Sequence, residues 1–322
     1  MKKIKLKFTL LVLCIFIFSG KLMATDIKLA VLKYGTVNWE LNVIQEHNLD
    51  KKYGIELDIT YLTNKNASAI ALMSNAVDII VTDWVWVSRQ REKGKDFTLI
   101  PYSTAAGALM VPNDSPITSI NDLKNAQIGI AGGSIDKSWI LIRAYTMKVL
   151  GYDLAKYIEP AYAAPPLING MVQKGELDGA LNYWNYTARL KALNFKKIIS
   201  VEDVLPKLGI GKSLPLIGYV FSEEWANKNK ESIKGFIAAS EEAREILNSN
   251  DQEWIRIQKI TGAKNPSTLE ALKAGFRKGI PSNNASEYKS AIRNAFKILA
   301  EIGGKDLVGN SKELSEGVIW SK

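Results

Sequence analysis

Two rhythms of apolar and polar residues replace each other at short intervals along this chain. Ile27–Lys33 reads IKLAVLK and predicts a strand. Val37, Leu41, Ile44 and Leu49 then recur at roughly helical spacing and predict a helix over 37–49. Residues 55–62 alternate as the next strand, and 66–75 read as a short helix. Val77–Thr82 (VDIIVT) is the near-continuous apolar run of a strand buried on both faces. A helix over 84–93 and a strand over 97–103 follow. This succession of βαβ units predicts a mainly parallel sheet.

The stretch Val111-Pro112-Asn113-Asp114-Ser115-Pro116 breaks the pattern, and a second series begins after it. Its strands are predicted over 127–131, 158–162 and 178–183, and its helices over 134–150, 165–175 and 185–193. Pro206 to Pro215, with Gly209 and Gly211, is a second break. Pro215–Phe221 (PLIGYVF) reads as a strand, and from Glu223 onward the chain is mostly helical, with Trp225 and Trp254 as packing residues. Two breaks around a middle α/β block make that block an insertion. The expectation is an α/β protein of two lobes, the first built from 25–111 plus 215–322 and the second from 112–214. Lobes joined by two crossings close like a hinge around a ligand.

The first 24 residues read as an export signal: Lys2, Lys3, Lys5 and Lys7, then the apolar run Leu10–Phe18, then a small residue at Ala24. The apolar run is too short to span a bilayer. The expectation is therefore a periplasmic protein with the signal cleaved near Ala24. Cys14 is the chain's one cysteine and lies inside this signal, where Leu11-Val12-Leu13 lacks the small residue of a lipoprotein signal. The remaining chain has no thiol for catalysis, disulfides or metal. The net charge of +9 includes five lysines of the signal; without them 37 basic residues face 33 acidic ones, a balance of +4. The bases are dispersed, so no nucleic-acid footprint is read, and nothing suggests more than a monomer. His47 is the one histidine. No catalytic residue, metal site or cofactor is assigned, although a carboxylate pair such as Asp83 with Asp136 supports acid–base chemistry in principle.

The strand ends carry the candidate chemistry. Trp39, Trp84, Trp139 and Trp184 each lie at or just past the end of a predicted strand, and open α/β sheets bind ligands outside the carboxyl ends of their strands. Four indoles at equivalent points suggest an aromatic-walled pocket; the alternative is that each ring packs under a loop as core. After the first strand, Thr36 and Asn38 offer hydrogen bonds and Trp39 a stacking face, while Glu40 reads as a first-turn carboxylate. After the strand 77–82, Asp83 faces the crevice or caps the next helix, Trp84 stacks on a planar ligand or a cation, Trp86 is core, and Arg89 and Arg91 are solvated. In the second series, Gly133, Ser134, Asp136 and Lys137 lie in a strand-to-helix turn with Ser134 as the expected cap, able to meet an anion or a carbonyl. It lacks both the phosphate-loop and the G-x-G-x-x-G patterns. Asn182 and Trp184 supply an amide and a ring facing Trp39 and Trp84 across the cleft.

Lys33-Tyr34-Gly35, Lys51-Lys52-Tyr53-Gly54-Ile55, Ala76-Val77-Asp78-Ile79-Ile80, Asp122-Leu123-Lys124 before Ile128-Gly129-Ile130, and Gly175-Glu176-Leu177-Asp178-Gly179-Ala180 together resemble the periplasmic solute-binding proteins of ABC importers. The likeness is to the nitrate/sulfonate/taurine/thiamine-precursor branch. It implies a two-lobed periplasmic-binding-protein fold of type II, a small-molecule ligand held between the lobes, and delivery to an ABC permease in the inner membrane. It also implies ligand contacts at Trp39, Asp83-Trp84, 133–138 and 182–184. Indoles and carboxylates at those places point to an aromatic or heterocyclic ligand. The alternatives are an oxyanion such as a sulfonate or nitrate, or an enzyme such as a pyrimidine-synthesising one on the same fold.

Overall fold

The computed structural model describes residues 25–282 and 285–320; the export signal expected over 1–24, with Cys14, lies outside the described residues. The strands are β1 (Thr25–Leu32), β2 (Ile55–Leu62), β3 (Ile79–Thr82), β4 (Phe97–Ser103), β5 (Ala108–Val111), β6 (Gln127–Ala131), β7 (Glu159–Ala163), β8 (Gly179–Asn182), β9 (Lys196–Ser200) and β10 (Ile217–Ser222). Among the described residues they form two five-stranded sheets, ordered β2-β1-β3-β10-β4 and β7-β6-β8-β5-β9. The second order repeats the first: a parallel trio, then one antiparallel strand, then an outer strand.

The parallel trios are built the same way. Asp78, one residue ahead of β3, donates its backbone N–H to Lys28 O at 2.8 Å, while its carboxylate accepts from Lys28 N, also at 2.8 Å. Asp178, just ahead of β8, repeats both bonds with Gln127, at 2.9 and 2.8 Å. Each carboxylate thus satisfies a strand N–H that has no ladder partner there. This is the physical content of the motifs Ala76–Ile80 and Gly175–Ala180.

Two expectations are corrected. The sheets are mixed rather than mainly parallel, because β10 and β5 insert antiparallel beside β3 and β8. Residues 108–111, expected in the first lobe, form β5 of the second sheet, where they pair with β8 and β9. The first crossing between sheets is therefore the stretch between Ser103 and Ala108, and the return runs from Ser200 to Ile217. Gly107 is needed in the first crossing, since a Cβ there would stand 2.0 Å from Asn182 O.

Helices cover both sheets, and four helix pairs fix the strand ends in place. The helix Val37–Glu46 turns Val37, Trp39, Leu41, Val43 and Ile44 inward and packs on the long helix Lys230–Ser249. The helix Trp184–Ala192, after β8, lies against Pro266–Lys278. The helix Ala285–Val308 packs on both Trp84–Arg91 and Lys137–Tyr145. One buried apolar cluster therefore runs through both lobes, with Trp84, Trp139 and Phe296 as members. Among the described residues no helix is long and apolar enough to cross a membrane.

Candidate ligand site between the lobes

The carboxyl ends of β1, β3, β6 and β8 face one another across the gap, and two of the contacts between the lobes lie at these ends. Lys137, the first residue of its helix, places Nζ 2.9 Å from Asp83 Oδ2 of the first lobe. Trp184, the first residue of its helix, meets Trp39 edge to face with ring centroids 5.8 Å apart. Asp83 also caps the helix Trp84–Arg91, its Oδ1 accepting from Trp86 N at 3.0 Å. Both readings of Asp83 hold at once: it is the cap and it faces the crevice.

Asp136, not Ser134, caps the helix that begins at Lys137. Its Oδ1 accepts from Ser138 N at 2.9 Å and Trp139 N at 3.3 Å. Ser134 is exposed on the turn ahead of it. A side chain closest to the first helical residue wins the cap because it reaches the second and third N–H groups without stretching. The turn itself needs glycine. Gly132 and Gly133 have φ of +86° and +90°, and a Cβ on Gly132 would meet the Tyr183 hydroxyl at 2.5 Å.

The charges form one cluster. Burial pushes the Asp83 carboxyl up, but Lys137, Lys65 and the Trp86 N–H overcome it and bring its pKa down to about 2. Burial lowers the Lys137 pKa, and Asp83 and Asp136 more than offset this, so it is raised. Lys65, at the exposed start of the helix Lys65–Met73, is held down first by the charge of Lys137 and then by desolvation. The Tyr183 hydroxyl lies 3.4 Å from Asp136 Oδ2; burial and that carboxylate push its pKa up. The cluster therefore balances two ammonium groups against two carboxylates: Lys137 is bound to Asp83, the exposed Lys65 acts on both through space, and Asp83 and Asp136 also accept from helix N–H groups.

The four tryptophans do not wall a pocket. Trp84 is fully buried, lies tilted against Phe296 and donates Nε1 to Pro215 O at 2.7 Å. Trp139 is buried beneath its own helix. Trp39 is buried against Trp254 and Phe276. Trp184 alone keeps partial exposure, bordering an inter-lobe groove of about 540 Å³ that Ala105, Ala106 and Gly275 also line. Trp86 is half-buried and stacked on Phe97, and Arg91 is tied to Phe97 O rather than solvated. Asn38 and Asn182 are buried braces: Asn38 Nδ2 donates to Leu32 O and Lys33 O, and Asn182 Nδ2 donates to Pro165 O and Asn169 Oδ1.

Of the expected set, Asp83, Asp136 and Lys137 come together in one cluster with Tyr183, Lys65 acts on that cluster, and Trp184 meets Trp39; no side-chain hydrogen bond joins Thr36 or Ser134 to them among the described residues, and Gly133 shapes the turn ahead of Asp136. Lys65 was missed although Asn64 caps its helix directly after β2; the strand-end rule that found the other turns applies there equally. Among the described residues no cluster of His, Cys, Asp and Glu could hold a metal ion.

The NMT1/THI5-like family model matches residues 38–253. No curated protein matches the sequence. Among solved structures, the periplasmic aliphatic sulphonate binding protein SsuA of Escherichia coli aligns with a TM-score of 0.71 at 18% identity, covering 92% of this chain and 97% of that one. The alkanesulfonate-binding protein SsuA of Xanthomonas axonopodis pv. citri, bound to MOPS, gives 0.65 at 16% identity over 92% and 98%. The periplasmic nitrate-binding protein NrtA of Synechocystis gives 0.57 at 10% identity over 87% and 85%. The fold is that of the two-lobed, type II periplasmic binding proteins.

Proposed function

The chain belongs to the NMT1/THI5-like family, and we propose that it is an extracytoplasmic receptor that captures a small organic anion between its lobes and hands it to an ABC permease. The observation that carries the ligand class is Lys137, which starts a helix of the second lobe and meets Asp83 of the first, with the exposed Lys65 near enough to act on both charges. Helix starts on both sides of the gap add positive potential. Trp184 and Tyr183 offer the faces against which an organic body would lie.

This reading moves the ligand from a neutral heterocycle toward an oxyanion, because three of the four indoles are core. Sulfonate and nitrate binding by the structural neighbours supports the same direction. The neighbours are binding proteins, which favours a receptor over an enzyme. The proposed setting is the periplasm, and the proposed form is a monomer.

The test is a thermal-shift panel on protein beginning at Thr25. Alkanesulfonates, nitrate, carboxylates, pyrimidines and flavins are compared with and without Lys137→Ala. A ligand at roughly 100 times its Kd adds about 2.7 kcal/mol. An anion that shifts wild type and not the variant supports the proposal. A shift with neutral heterocycles alone overturns it.

A further inference from the structure

We infer that the first lobe holds a second binding site, a cavity of about 200 Å³ built around Arg244, which takes a small aromatic or branched carboxylate. None of the cleft residues lines it. Phe236, Ile237 and Tyr219 supply apolar wall, Ser240 and Arg244 the polar floor, and the exposed Glu241 a rim.

The floor is incompletely satisfied. Glu40, fully buried on the helix Val37–Glu46, accepts through Oε1 from Tyr219 at 2.8 Å and Ser240 at 2.5 Å. Its Oε2 has no hydrogen-bond partner among the described residues. The nearest cation is Arg244, with Nε at 3.8 Å, beyond hydrogen-bond reach. Arg244 itself is 9% exposed and makes one hydrogen bond, from Nε to Ser240 O at 3.3 Å. Arg244 lines the cavity, and its two terminal nitrogens make no hydrogen bond among the described residues. Glu40 supplies its countercharge at ion-pair distance only, so the fork itself is unmatched, and a carboxylate fits it in two parallel bonds.

Size sets the rest of the ligand. A cavity of about 150 Å³ admits benzene, so this one holds a ring or a branched alkyl group with its carboxylate. Sulfonates and phosphates also match guanidinium charge, but a third oxygen would face apolar wall. The rim carboxylate of Glu241 disfavours a second anionic group on the ligand.

Benzoate titrated by calorimetry, with benzamide and benzylamine as shape-matched controls, tests the assignment on the chain from Thr25 onward. Benzoate is expected to bind saturably and the two controls not. Arg244→Lys keeps the charge but loses the fork and should weaken benzoate by roughly tenfold to a hundredfold. Ile237→Trp, at a half-buried wall position, fills the cavity and should abolish binding in a protein whose circular dichroism is unchanged. Lys137→Ala, which removes the cation bridging the cleft, should leave benzoate affinity as it was; loss there would place benzoate in the cleft and overturn the inference. Binding that survives Ile237→Trp, equal binding of benzamide, or no saturable binding overturns it as well.

Discussion

Lys137 Nζ and Asp83 Oδ2 lie 2.9 Å apart and belong to different lobes. Their side chains are 15% and 13% exposed, so the pair is neither a free surface bridge nor fully dry. It is the polar link between two helix starts that an opening of the lobes would separate.

Replacing Lys137 by Met should therefore favour the open form. Asp83 keeps its capping bond to Trp86 N but loses its countercharge. The cost should be about 1–3 kcal/mol, between the values for exposed and buried pairs. Small-angle scattering without ligand should report a larger radius of gyration for the variant. An unchanged radius together with unchanged stability would show that the pair does not hold the lobes.

Acid should act on the same pair. Asp83 has its pKa depressed to about 2 from 3.8. A depressed carboxylate contributes stability that is fully present above its unfolded pKa, and loses it as pH falls through the folded value. That contribution, about 2 kcal/mol, should be intact above about pH 4 and gone below about pH 2. Asp83→Asn should flatten this part of the pH–stability curve measured by urea titration. A variant curve parallel to wild type across that window would remove Asp83 from the acid response.

Trp84 separates core from pocket. With its ring fully buried and its Nε1 bonded to Pro215 O, Trp84→Ala should cost about 3–5 kcal/mol. A ligand-lining indole would instead leave stability near wild type and remove binding. Equilibrium unfolding measures the difference directly.

Gly132 and Gly133 share a left-handed backbone but differ in surroundings. An alanine at 133 meets open space, so Gly133→Ala should carry only the backbone strain, about 1–2 kcal/mol. Gly132→Ala adds contacts of 2.5 Å to the Tyr183 hydroxyl and 2.7 Å to Asp136 Oδ2. It should be the more destabilised of the two and should shift the Asp136 cap. Equal midpoints in urea would contradict the packing described around Gly132.

The α/β alternation, most element positions and the two Asp-containing motifs were legible because they are local: period 2, period 3.6 and a turn residue in front of a strand. β10 was legible as a strand over 215–221 but not in its direction, and β5 was not legible at all, because both are placed by partners far away in sequence. The tryptophans failed for a rotational reason. Successive residues of a helix point about 100° apart, so Asp83 and Lys137 face the opposite lobe while Trp84 and Trp139 turn beneath their helices. Nearness to a strand end gave the neighbourhood and not the direction. Asn38 and Asn182 misled likewise, since a carboxamide suited to a ligand suits a backbone carbonyl equally well.

The place of β10 between β3 and β4 orders events in time. As the chain emerges amino end first, β4 has no neighbour in its sheet until residue 217 arrives. By then the whole of 108–200, which makes every strand of the second sheet, is already out. The later half can therefore complete its sheet while the earlier half still shows two raw edges, at β3 and β4, each a template for misplaced pairing. The amino-terminal half of this protein is the last to be finished.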